Sequence, residues 1–426
     1  HPVLSLVLCF RCSHPLCLKQ KLSSPLQQGS QGEYRGSLPA MKLHHCFTLI
    51  LCLSVLVNAQ KIEYQAGAAA KRSHSMYHHD TKLQEQAPGA VKTADKDARL
   101  DPANFLVVLV AGLILFYCAG RAYVPPFTDF SKLSESEIAE YEEIKKAGEL
   151  ELHTAILFVV VASIALVLLF YFMSAMSILI TILFSLVATI SFGFLIYPYI
   201  DHWTDRKFSR DVDVPLLGPV PLLVFFVAPF ALLVVALWLC TKHWITNDVL
   251  AISLVVFFLA NIRLSSLMVA TVLLLLAFFY DIFWVFMSSS IFGKNVMVTV
   301  ATDLDVPIKI LIPLVLPEES QSRLEFTLIG LGDIVLPGLL LCFAWRVDRD
   351  KGNDMQKGYF AVTMAGYLVA LTLCEIIVGS LHLAQPAMIY LVPGTLIPFM
   401  LLALVRKEFN EVWSGVEDTP IAPQKP

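Results

Sequence analysis

Charge is what this sequence has least of. Asp, Glu, Lys and Arg make up 15% of its 426 residues, against about 25% in a soluble domain. A formal net charge of −4 provides no basic face, which argues against nucleic acid as a partner. The chain has no Asn-x-Ser/Thr acceptor, so N-glycosylation is not expected. Cysteines are present but scattered. Cys118, Cys240, Cys342 and Cys374 fall singly in apolar stretches and read as small buried hydrophobes, not as metal ligands. Neither metal nor cofactor is expected.

Apolar runs are what the chain has in abundance. It is 57% hydrophobic with a mean hydropathy of +0.68. This is the composition of an all-α polytopic membrane protein. Nine runs have the length of about 17–25 residues needed to cross a bilayer. They lie near 103–124, 153–175, 177–200, 215–240, 247–263, 266–288, 324–346, 359–381 and 386–405. A tight turn near Ser174 is expected between the second and third, and Asn261 and Arg263 interrupt the fifth.

The segments before the first span differ in kind. Residues 1–40 start at His1 and read as a leader fragment. In residues 41–59, Lys42 precedes an apolar run and the stretch ends Val57-Asn58-Ala59, which predicts a signal peptide cleaved after Ala59. A signal anchor is the alternative. Residues 60–102 form a polar lumenal tail whose His74, His78 and His79 read as solvated. Residues 103–405 are the membrane domain, with its core at 242–405, and 406–426 a cytosolic tail. With the amino end lumenal, the cytosolic segments carry fifteen Lys and Arg and the lumenal loops four, the bias that sets membrane orientation.

Two aspartates stand inside these runs. Asp333 lies in Gly330-Leu331-Gly332-Asp333 on span seven and Asp281 in Tyr280-Asp281 on span six. A charge at that depth costs at least ~2.5 kcal/mol, so an intramembrane carboxylate is a functional candidate by default. The spans are antiparallel. The aspartates lie about 10 and 13 Å from the same membrane surface at ~1.5 Å per residue, so they can meet. Two carboxylates in low dielectric cannot both ionise, and the pair holds one proton. This is the arrangement in which one aspartate activates water and the other protonates the scissile carbonyl. Pro337 has no N–H, so the Asp333 carbonyl loses its helical donor. Glu375 in span eight reads as structural, and Asp248 and Glu325 as facing the interface.

Tyr280-Asp281, Gly330-Leu331-Gly332-Asp333 and Gln385-Pro386-Ala387-Met388, in this order on spans six, seven and nine, resemble the YD, GxGD and PAL motifs of signal peptide peptidases. That family belongs with the presenilins to the GxGD intramembrane aspartyl proteases. Lys242-His243-Trp244-Ile245 and Asn295-Val296-Met297-Val298 also resemble it. The resemblance implies a presenilin-like fold of nine transmembrane helices with Asp281 and Asp333 as the catalytic pair. Tyr280, Gly330, Gly332, Pro386, Ala387 and Met388 would support the site. It also implies single-span membrane proteins or signal-peptide remnants as substrates, the lipid bilayer as a partner and an endoplasmic reticulum membrane, with Golgi or endosome as the alternative. Self-association is left open. Met388 departs from the family leucine, and Ser288–Gly293 lengthens the exit from span six. A proton- or cation-coupled transporter and a non-proteolytic scaffold are the rival readings.

Between spans six and seven, Asn295–Thr302 and Val306–Ile312 are rich in β-branched residues, as strands are. They predict an edge to which an unwound substrate adds as a strand. Val306, Ile308, Ile310 and Ile312 are the candidate binding residues.

Overall fold

The computed structural model describes residues 101–123, 148–204, 208, 211–214, 218–292, 306–314, 326–353, 357–381 and 385–415. The expected leader (1–40), the expected signal peptide (41–59), residues 60–100 with their histidines, segment 295–302, Glu325 and residues 416–426 lie outside them. The elements in chain order are α1 (Pro102–Tyr123), β1 (Glu149–Leu150), α2 (Leu152–Trp203), β2 (Asp211–Val214), β3 (Gly218–Pro221), α3 (Val224–Thr241) and α4 (Trp244–Asn261). They continue with β4 (Arg263–Leu264), α5 (Leu267–Ile282), a π-helical turn (Phe283–Met287), α6 (Ser288–Phe292), β5 (Lys309–Pro313) and β6 (Phe326–Gly330). The last four are α7 (Leu331–Asp350), α8 (Tyr359–Leu381), α9 (Met388–Val405) and α10 (Phe409–Ser414).

Among the described residues, eight helices are long and apolar enough to cross a bilayer, two of them within α2. The expected span not among these eight is the seventh, 324–346, whose described part is α7 preceded by a strand. α7 carries Asp333, Arg346, Asp348, Arg349 and Asp350, too many charges for the apolar count. These charges can sit there because α7 is the centre of the bundle. Seventeen of its twenty residues are buried, and it packs against α1, α4, α5, α8 and α9. A Cβ on its Gly338 would lie 2.7 Å from Leu115 of α1 and 2.9 Å from Leu259 of α4. By contrast α3 buries only Val227, Ala231, Val235 and Trp238, a narrow stripe that leaves most of the helix to lipid.

The break expected near Ser174 falls at Phe172 (φ −116°, ψ 27°), where the two spanning helices within α2 meet at a kink. Two local expectations change. Residues 218–221, within the fourth run, are not helical. Pro219 and Pro221 lack the N–H groups a helix needs, and Gly218–Pro221 (β3) pairs antiparallel with Asp211–Val214 (β2). In the seventh run Phe326–Gly330 forms β6, paired antiparallel with β5 so that Lys309 faces Gly330 and Leu311 faces Leu328. The interruption of the fifth run at Asn261 and Arg263 stands. α4 ends at Asn261 and Arg263 enters β4, which pairs in parallel with β1.

Candidate active site

Asp281 is placed by α5. Ser266 caps this helix, its hydroxyl accepting the Val269 N–H at 3.3 Å. One face of α5 (Leu267, Ala270, Leu273, Leu274, Ala277) is buried, and Asp281 is buried with it at 3% exposure. Two residues later the helix widens into the π turn. Ser288 gives its N–H to the Phe283 carbonyl, five residues back. Its hydroxyl donates to the Trp284 carbonyl at 2.7 Å, which the wider spacing has deprived of its usual donor. π turns of this kind recur at functional sites. Tyr280 is buried and its ring lies 6.1 Å from that of Trp284.

Asp333 is placed by a strand and a helix. Gly330 ends β6 in extended backbone (φ −70°, ψ 143°) and is also the residue before the first turn of α7. Asp333 therefore lies in that first turn, at 2% exposure, with buried Gly332 beside it. It is closer to its helix start than an all-helical span seven implied. Pro337 leaves the Asp333 carbonyl without a helical donor, and the Tyr367 hydroxyl of α8 donates to it at 3.2 Å. Sequence reasoning identified the orphaned carbonyl but not its partner.

The third motif reaches the first through the backbone. α9 starts at Met388, and the first N–H groups of a helix have no partner inside it. The Met388 N–H donates to Asp281 Oδ2 at 3.2 Å. Pro386 and Ala387 are buried just before it, and their carbonyls accept the next N–H groups of α9. Because the donor is a main-chain N–H, methionine in place of leucine changes core packing and leaves this bond intact. α5, α7 and α9, which carry the three motifs, pack on one another.

Of the β-branched residues between the spans, Ile310 and Ile312 lie in β5, and Val306 and Ile308 just before it. Val306, Ile308, Ile310 and Ile312 are buried in the chain's own core. The Leu331 N–H donates to the Ile308 carbonyl at 3.2 Å. By the alternation of an antiparallel ladder, the peptide groups of Ile310 and Ile312 then face β6. The opposite edge of β5 is occupied by α4. Asn247 Nδ2 donates to the Lys309 carbonyl at 2.7 Å, and Asp248 Oδ1 accepts the Leu311 N–H at 2.9 Å. These four residues support β6 and offer no open edge. Asp248 is turned onto the strand instead of the interface. Asn247 and Tyr367 were missed and Asp248 misplaced because Asn and Asp near a helix start read as ordinary end residues, and a Tyr within an apolar span as core.

Comparison with known proteins shows the family. The family model described as "Signal peptide peptidase" matches residues 142–419. "Signal peptide peptidase-like 3" of Oryza sativa subsp. japonica is 36% identical over 272 residues, 63% of this chain and 52% of that protein. "Signal peptide peptidase-like 3" of Arabidopsis thaliana is 34% identical over 344 residues, covering 75% of this chain and 63% of its own length. "Signal peptide peptidase-like 2" of the same plant is 31% identical over 385 residues, 87% of this chain and 70% of that protein. The chain thus spans between half and two thirds of the length of the first two. No solved structure matches it.

Proposed function

The chain belongs to the signal peptide peptidase family, and we propose that it is an intramembrane aspartyl endopeptidase acting through Asp281 and Asp333. The observation that carries this reading is the Met388 N–H donated to Asp281. It ties the third motif to the first carboxylate while α7 holds the second carboxylate, buried, on an adjoining helix. Buried carboxylates on packed membrane helices are retained for chemistry more than for stability.

In this reaction the two aspartates share one proton. The ionised member takes a proton from water, and the resulting hydroxide attacks the scissile carbonyl carbon. The protonated member donates to the carbonyl oxygen, giving a gem-diol. Collapse of the gem-diol breaks the C–N bond, and the amine leaves with a proton. The Met388 N–H holds Asp281 in one orientation throughout, and the Tyr367 hydroxyl steadies the backbone at Asp333.

The substrates fitting this chemistry are signal-peptide remnants and type II membrane proteins, cleaved within their spans. The family resemblance favours the endoplasmic reticulum membrane with the amino end lumenal. A helical substrate must unwind before cleavage, because its peptide groups are paired internally. With β5 closed by Asn247 and Asp248, the strand to which unwound substrate adds is β6, through the outward peptide groups of Leu328 and the Gly330 N–H, the Gly330 carbonyl being used by the first turn of α7.

The test is cleavage of a labelled transmembrane peptide by full-length protein in liposomes. Asp281→Asn and Asp333→Asn should each lower turnover by about 10³-fold or more, and an aspartyl-protease transition-state analogue should block the parent. Turnover retained by either variant would sink the assignment.

A further inference from the structure

The geometry points to Asn247 and Asp248 as positioning residues that hold Asp333 in place through the β5–β6 hairpin; the inference rests on the protease reading above. Asn247 closes the first turn of α4 after the cap His243, and Asp248 follows it. Neither side chain is spent on the backbone of its own helix, as such residues commonly are. Asn247 is 6% exposed, and its Nδ2 donates to the Lys309 carbonyl at 2.7 Å and to Asp248 Oδ1 at 3.1 Å. The same Oδ1 accepts the Leu311 N–H at 2.9 Å.

The pattern is that of a missing strand. In a parallel ladder, one residue donates to the carbonyl before its partner and accepts from the N–H after it. Here two side chains make that pair of bonds around Ile310. A two-stranded ribbon is weak by itself, and this pair anchors it to a spanning helix. From the anchor the path to the carboxylate is short. Lys309 is paired with Gly330, the Leu331 N–H is bonded to Ile308, and Asp333 follows in the same turn of α7. On its other side Asp333 is steadied by Tyr367. Asp281 depends on neither contact, since Met388 holds it. Losing the anchor therefore moves one member of the pair relative to the other, and a shift of about 1 Å costs about 10²-fold in rate.

The experiment uses the full chain in liposomes with the labelled transmembrane peptide, together with hydrogen exchange of the unliganded protein. Asp248→Leu keeps the volume and removes the acceptor. It should lower kcat by about 10²-fold with KM within about twofold, and speed exchange in 309–313 and 326–333 but not in α8 or α9. Asp248→Asn, whose amide oxygen still accepts from Leu311, should return kcat to within about threefold of the parent. Asn247→Ala keeps the Leu311 bond and should lose about tenfold; it carries the test if Asp248→Leu does not fold. Parental kcat in Asp248→Leu overturns the inference, as does an Asp248→Asn variant as slow as Asp248→Leu. If Asp333→Asn still cleaves, the protease reading fails by itself. Exchange then decides the anchor without reference to activity, and unchanged exchange in 309–313 and 326–333 overturns it.

Discussion

Asp348 has no exposed surface and ends the buried face of α7. Its carboxylate accepts the N–H groups of Tyr359 and Phe360, both at 2.8 Å, and Asn353 Nδ2 at 3.1 Å. It thus caps α8 from the preceding helix. The neighbouring Gly358 is obligatory for space, because a Cβ there would lie 2.2 Å from the carboxylate. Asp348→Ala and Gly358→Ala should each destabilise the protein by about 2–3 kcal/mol, read as thermal unfolding in detergent. Met388 shows the opposite behaviour. Its side chain is buried but its functional contact is main-chain, so Met388→Leu should leave kcat within about twofold, and a larger fall would mean that the side chain shapes the site. Sequence motifs indicated Asp281, Asp333 and Met388. They could not show which atom of Met388 matters, since a backbone N–H is common to every residue type except proline.

Helix α9 delivers Met388, and what sets its distance from α8 is small-residue contact. A Cβ on Gly366 would lie 2.1 Å from the Gly394 carbonyl oxygen, and one on Gly394 2.4 Å from the Ala370 Cβ. Close approach through small residues is how membrane helices gain packing energy where lipid gives no hydrophobic drive. Gly394→Ala should therefore destabilise by about 1–3 kcal/mol and reduce peptide cleavage, because it pushes apart helices that hold the third motif. Gly120→Ala, where the nearest atom is 3.9 Å away, should leave stability unchanged or slightly raised. Comparing the two melting temperatures separates the crossing from a general effect of adding a methyl. Element types were legible where apolar runs were long. They were not at 218–221 and 326–330, where prolines or pairing to a distant strand override an apolar run whose length alone suggests a helix.

The molecule as a whole is a bundle turned outward to lipid. Large hydrophobic side chains are exposed along α1, α2 and α3, with Leu233 at 65% near the middle of α3. Leu233→Lys should reduce bilayer insertion by about 2.5–3.5 kcal/mol, measured as the carbonate-resistant fraction of expressed protein. Unchanged insertion would show that this face of α3 is covered by protein. Apolar length revealed the spans but not which one lies at the centre. In a membrane the residues facing lipid and those facing the core are both apolar, so α3 and α7 look alike until their polar residues are counted.

Behind Asp281, the turn from Phe283 to Met287 holds one residue more than an α-helix needs. Each α-helical residue advances the chain by about 100°, so the extra one sets the azimuth of all that follows it. Deleting one residue there would act as a rotation more than a shortening. Asp281 lies upstream and would keep its direction. Ser288 would swing away from the Trp284 carbonyl, and Phe292 away from the rings of Trp284 and Phe170, now 5.9 Å distant in each case. The π turn is thus an angular offset that lets one continuous segment serve two bearings, one for the carboxylate and another for the aromatic seam beyond it.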